Sequence, residues 1–220
     1  MLWKRLALAS ACCLTANVFA QEVYVGGGLF GVQLGYAHAL SSNINLRGDY
    51  MTLGSRSKST TESGTQYQAD IDWNRKALLL DWFPFDSSTF RITGGATFNQ
   101  MAFNLTAGGA GTTVDINGKN YALGANDKLN VQVKMPNTTP YLGVGWGFRP
   151  GGQSGWGFHA DLGVSIGQFK VTESRTGGLV NGGALGVTQA EVDAEMAQVR
   201  DSVAKIKVLP QATLGVSYRF

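Results

Sequence analysis

Alternation with a period of two residues recurs along the chain, and its two faces differ in chemistry. From Trp156 the even positions are Trp156, Phe158, Ala160, Leu162, Val164 and Ile166, while the odd ones are Gly157, His159, Asp161, Gly163, Ser165 and Gly167. Leu214, Val216, Tyr218 and Phe220 alternate with Thr213, Gly215, Ser217 and Arg219 in the same way. So do Leu142, Val144, Trp146 and Phe148 with Tyr141, Gly143, Gly145 and Gly147, and Phe90, Ile92, Ala96 and Phe98 with Arg91, Thr93, Thr97 and Asn99. Successive side chains of a strand point to opposite faces, so the pattern predicts an all-β chain.

The face opposite the apolar one carries Arg47, Asp49, Asp81, Arg91, His159, Asp161 and Arg219. Seven ionisable groups do not belong in a dry soluble core, but they suit the polar lumen of a barrel whose apolar face meets lipid. Strands are expected near residues 22–27, 31–39, 44–55, 67–84, 89–106, 128–149, 155–174 and 208–220. Short connections at 41–43, 86–88 and 150–154 then lie at one end, and long ones at 54–65, 107–128 and 175–205 at the other. That is the layout of periplasmic turns and extracellular loops, and a closed barrel leaves no unpaired edge in lipid. The predicted fold is an eight-stranded antiparallel transmembrane β-barrel with one amphipathic helix in the last extracellular loop. Trp82, Phe83, Phe85, Trp146, Phe148, Trp156, Phe158, Tyr218 and Phe220 cluster beside the short turns and the C-terminus, as an aromatic girdle at the periplasmic interface would. Ile71 and Trp73 fall out of step with Leu78, Leu80 and Trp82, which predicts a bulge near Arg75.

Residues 1–20 read as a secretory signal peptide: Lys4 and Arg5, an apolar run from Leu6 to Leu14, and Val18-Phe19-Ala20 before Gln21. The barrel domain is then 21–220. Both cysteines, Cys12 and Cys13, lie in the leader, so no disulfide or thiol ligand is expected in the barrel. The net charge of +3 falls to about +1 once Lys4 and Arg5 are removed, which leaves no case for a nucleic-acid surface. Charged residues are 15% of the chain, against roughly 25% in soluble domains, and no later apolar stretch is long enough for a membrane helix.

Gly26-Gly27-Gly28-Leu29-Phe30-Gly31 matches the dinucleotide fingerprint in letters, with Asp49 downstream, but Val32, Leu34 and Tyr36 continue at period two where a helix should start. A glycine-rich hairpin is the reading. His38 and His159 both lie near short turns, and no nucleophile is aligned with them, so neither catalysis nor a metal or cofactor site is expected. The inward set holds three Arg, three Asp and one His, near neutrality, and eight strands enclose an interior that side chains can fill. Pairing among these groups is expected. A wide pore is excluded on size, whereas a narrow path for small solutes is not.

Asn117-Gly118 within 116–121 predicts a type I′ hairpin in the third loop. Thr188-Gln189-Ala190-Glu191 is a capping box, followed by a stripe of Val192, Met196, Val199 and Val203, and predicts an amphipathic helix seeking a partner at the barrel mouth or the third loop.

Asn117-Gly118-Lys119-Asn120-Tyr121, Pro140-Tyr141-Leu142-Gly143-Val144-Gly145, Gly155-Trp156-Gly157, Asp161-Leu162-Gly163, Lys170-Val171 and the acidic helix around Asp193-Ala194-Glu195 give the C-terminal half a resemblance. It resembles the small outer-membrane barrels grouped with CarO, the ornithine-uptake and carbapenem-susceptibility porin. The N-terminal half is similar in strand order. The resemblance implies a cell outer-membrane barrel that is a narrow channel or uptake protein for small solutes such as basic amino acids. The other reading is a structural or surface-interaction barrel without transport. Expected partners are outer-membrane lipid, a small-molecule solute and the barrel assembly machinery, whose terminal aromatic signal the ending Leu214, Val216, Tyr218 and Phe220 resembles. Deleting Phe220 should lower the folded, membrane-inserted fraction, read on gels as the loss of the unboiled fast-migrating species; undiminished insertion would remove Phe220 from that signal.

Overall fold

The computed structural model describes residues 21–62 and 65–220, so the expected leader lies outside the described residues. Among these residues twelve strands and one α-helix follow in order. The strands are β1 Gln21–Gly28, β2 Gly31–Ala39, β3 Ile44–Glu62, β4 Thr65–Trp82, β5 Phe90–Gly108, β6 Thr113–Ile116, β7 Lys119–Ala122, β8 Lys128–Lys134, β9 Thr138–Trp146, β10 Gly155–Ile166, β11 Lys170–Thr176 and β12 Val208–Arg219. The helix, α1, is Gln189–Ala204, between β11 and β12.

Eight strands close into a ring by antiparallel pairing: β1 to β5 in sequence, then β9, β10, β12 and back to β1. The N- and C-terminal strands seal the barrel, from Glu22 opposite Arg219 to Gly28 opposite Thr213. The sixth and seventh expected strands are each broken into two pieces. β9 pairs with the lower half of β5 and β8 with its upper half, and the break between them holds Met135 and Pro136, whose missing N–H interrupts a ladder.

The register departs from the sequence pattern in two places. The expected long loop at 54–65 is largely strand, because β3 and β4 stay paired out to Glu62 opposite Thr65. The bulge expected near Arg75 is instead on the partner strand: β4 pairs without interruption along β5, while Thr52 and Gly54 of β3 oppose Asn74 and Trp73. Leu53 is the extra residue, and it reverses the phase of β3 rather than of β4. Ile71 and Trp73 keep the parity of Arg75 and Asp81 and turn inward.

Outward positions form a belt of Val23, Val25, Leu34, Leu78, Leu80, Ile92, Leu142, Leu162 and Leu214, all well exposed. Such a belt is unsuited to water and fits lipid. No helix among the described residues is long and apolar enough to cross a membrane.

Above the belt the long loops build a second core. Asn117 and Gly118 take positive φ (53° and 77°) at the β6–β7 turn, the geometry of a type I′ hairpin. Val114 and Ile116 of this hairpin pack with Leu123, Leu179, Val187, Val192 and Met196, and Val199 lies against them. Val203 of the helix stripe is half-buried. The capping box at Thr188 and Glu191 starts α1. Lys119 Nζ donates to Glu191 Oε1 at 2.5 Å, and Thr188 N and Oγ1 donate to Oε2 at 3.0 and 2.9 Å. Led by the Lys119 bond, these contacts hold the Glu191 carboxyl at about 2, below its usual 4.5. Asp127 ties the two loops together by accepting from Gly124 N at 2.8 Å and Gly178 N at 2.7 Å.

A carboxyl lowered in the folded state stabilises it above its ordinary value and loses that contribution as pH falls toward the folded value. The loop core should therefore loosen between about pH 4.5 and 2 while the barrel stays paired, read as a loss of amide-exchange protection, relative to the intrinsic rate at each pH, confined to α1 and the β6–β7 hairpin. Met196→Asp should produce the same loosening at neutral pH by burying a charge in that core. Unchanged exchange in both cases would contradict a core held by these contacts.

Candidate functional site

The lumen is filled in layers, starting from the short-turn end. Glu22 and Arg219 pair there at 2.8 Å. Above them Phe148 closes the bore. The chain leaves β9 at Trp146, and Phe148 takes a positive φ of 58°, a costly conformation for a non-glycine residue. That reversal turns the ring inward, where Tyr24 and Ala37 surround it with Phe83. Phe83 and Phe148 are thus interior plug residues and not part of the aromatic girdle; Trp82, Phe85, Trp146, Trp156, Phe158, Tyr218 and Phe220 remain on the outside. Asn45 Nδ2 donates to the Phe148 carbonyl and Arg91 donates to that of Gly147 at 3.1 Å, pinning the turn.

The next layer is ionic. Arg47 lies 2.5 Å from Asp81 and 3.0 Å from Asp161, and Arg91 lies 3.4 Å from Asp81 and 2.6 Å from Asp161. All four groups are buried, and Arg91 and Asp81 are wholly inaccessible at 0%. Both guanidiniums also stand over the Phe148 ring, at 5.0 and 4.7 Å from its centroid. These are cation–π distances. Gly145 makes room for Arg91, because a Cβ there would sit 2.8 Å from the guanidinium.

One step further along, Arg75 pairs with Asp49 at 2.8 Å and donates to Gln211, while Gln33 and the Tyr24 hydroxyl donate to Asp49 at 2.9 and 3.2 Å. Hydroxyls follow: Thr97 meets Thr139 at 2.6 Å, and Gln211 donates to Ser165 at 2.6 Å. Beyond them Trp73, Met101 and Met135 form an apolar layer with Phe30, Phe169 and Leu209, Phe30 stacking on Trp73 at 4.4 Å.

The structure brings Arg47, Asp81, Arg91 and Asp161 into one cluster and places Asp49 and Arg219 in separate pairs. His159 differs from the expected pairing. Its ring makes no hydrogen bond among the described residues and packs instead against Phe148 at 4.8 Å and edge-on to Tyr24 at 5.1 Å. Sequence reasoning missed Arg75, Glu22, Gln33 and Gln211 as lumen groups. Carrying the parity of Asp81 back along β4 would have found Arg75. Leu214, Val216 and Tyr218 line the outer face of β12, with Phe220 just past it; Tyr218 meets Trp156 at 5.2 Å.

The space left in the ionic layer is a cavity of about 10 Å³ lined by Arg47, Asp49, Arg75, Tyr141, Asp161 and Gln211. That is about the room one water needs. No group of three or more potential metal ligands occurs among the described residues.

This architecture matches solved structures. CarO of Acinetobacter baumannii superposes with a TM-score of 0.52 at 22% identity, covering 90% of this chain and 97% of that one. The fold is that of CarO, a ring of eight antiparallel strands. CarO2 of the same organism gives a TM-score of 0.54 at 20% identity, covering 91% and 98%. No family model matches the chain, and no curated protein matches it. The CarO-like ring of eight strands is thus shared at about one identical residue in five.

Removing one member of a buried ion cluster leaves an uncompensated charge within it, at a cost of about 3–5 kcal/mol. Asp81→Asn should therefore lower the urea midpoint of the CarO-like barrel far more than Asp115→Asn in the exposed hairpin turn does. Equal midpoints would show that the Arg47 and Arg91 charges are not held in this layer.

Proposed function

We propose that this chain works in the outer membrane as a closed barrel that anchors a folded loop module at the cell surface. The observation that carries this reading is the filled lumen. Along the bore, the Phe148 plug, the paired Arg and Asp layer and the Trp73 layer succeed one another, and the loop core stands above them. Steady diffusion requires a continuous aqueous path, and each layer interrupts one. The loop core supports the positive half of the reading, since α1 and the β6–β7 hairpin are packed with each other and held by Lys119, Glu191 and Asp127. A narrow uptake channel for basic amino acids would require both the ion cluster and this cap to move together. In the proposed orientation the short turns face the periplasm, and the belt spans the bilayer.

Purified protein reconstituted into planar bilayers should show no steady conductance above the lipid baseline, and liposomes carrying it should not swell in glycine or ornithine. A persistent conductance from protein that also shows heat-modifiable migration would overturn the closed-barrel reading.

A further inference from the structure

The outer wall of the barrel carries lysines that its pattern does not require. Lys76, Lys134 and Lys170 all lie on the outward parity of their strands and are exposed, at the upper edge of the apolar belt. Lys134 stands directly opposite Lys170 across β8 and β11. Like charges directly opposite each other on one face of an antiparallel pair repel. Among the described residues none of the three lysines forms an ion pair. The outward carboxylate next along β4, Asp72, lies beyond Asn74 and accepts from Ser55 Oγ.

Lys76 and Lys134 share an open cleft of about 370 Å³ with Tyr50, Asn74 and Gln100. The Tyr50 hydroxyl and the Thr52 hydroxyl both donate to Asn74 Oδ1, at 2.9 and 2.6 Å, which leaves the two Asn74 amide hydrogens as donors toward the cleft. The cleft therefore offers two ammonium groups and carboxamide donors without a facing acid. Just below it, Lys76 stands opposite Phe98, and Phe98 and Leu78 are about half exposed, at 48% and 52%. A ligand that suits both halves has an anionic oxygen-rich head and an apolar tail.

We propose that this cleft binds the phosphate of an anionic lipid in the leaflet around the loop end, with Lys76 and Lys134 on the phosphate, Lys170 beside it, and the acyl chains along Phe98 and Leu78. Clustered lysines at the level where acyl chain meets headgroup attract lipid phosphates, and their own stems lie along the apolar surface. A soluble phosphate would use the head of the site and leave the apolar shelf unused, which is why the geometry favours a lipid. This inference rests on the membrane-spanning reading above.

Native mass spectrometry of the barrel, purified in a neutral detergent and titrated with diphosphoryl lipid A, tests it. Wild-type protein should bind lipid A at least roughly tenfold more tightly than Lys76→Gln/Lys134→Gln/Lys170→Gln does. Dephosphorylated lipid A should bind both alike, and Lys205→Gln at the exposed end of α1 should bind as wild type. Equal binding of lipid A by the triple variant, with heat-modifiable migration intact, would overturn the lipid site and leave the barrel reading standing. Displacement of lipid A by millimolar inorganic phosphate would assign the cleft to a soluble anion and overturn it as well. Failure of the wild-type chain to insert into lipid vesicles would overturn both readings at once.

Discussion

Arg47 and Arg91 share Asp81 and Asp161 at the centre of the eight strands, and the rest of the interior is arranged around that exchange of charge. Four ions out of water are tolerable when each has partners on more than one side, because the desolvation of any one is then offset by two attractions. The arrangement also ties together elements far apart in sequence: β3, β4, β5 and β10 each supply one member. A ring of strands held by backbone ladders alone could slide in register. This cluster resists that, since a one-residue slip would turn a guanidinium or carboxylate out into the apolar belt.

The same cluster explains the odd backbone beside it. Phe148 occupies a conformation that costs free energy, and the compensation lies in its ring, which carries two guanidiniums on its π-face. The Gly145 position leaves the space into which Arg91 folds. Glycine abundance, which in the sequence reads as weak strand propensity, is here the complement of long arginines in a narrow bore.

Strand positions and the inward face were legible because period two survives in every strand that meets lipid on one side. Arg47, Asp49, Asp81, Arg91 and Asp161 follow from that parity. Phe148 did not, because it lies just beyond the end of β9, where Gly147 with φ of 100° lets the chain reverse and parity no longer applies, whereas Phe83 keeps the inward parity of Asp81 and was legible from it. Trp73 misled for another reason. An apolar residue inside a barrel is indistinguishable by type from one outside, and Trp73 is inward because Met101 and Met135 build an apolar layer above the polar ones. The bulge is on β3 at Leu53, where the sequence shows no break in alternation that would set it apart from a loop. The unpaired His159 ring was invisible as well, since proximity to Asp161 in sequence says nothing about which neighbour a side chain packs on.

A closed lumen keeps small solutes from the middle of the bore. Ser165 lies there, inaccessible at 0%, between Thr97 and Gln211, and cysteine replaces serine with little change in shape. In protein starting at Gln21, which contains no other cysteine, the direct measurement is the labelling rate of Ser165→Cys by a small charged thiol reagent in lipid vesicles. A closed lumen predicts no labelling until the barrel is unfolded; rapid labelling of the folded protein would contradict it.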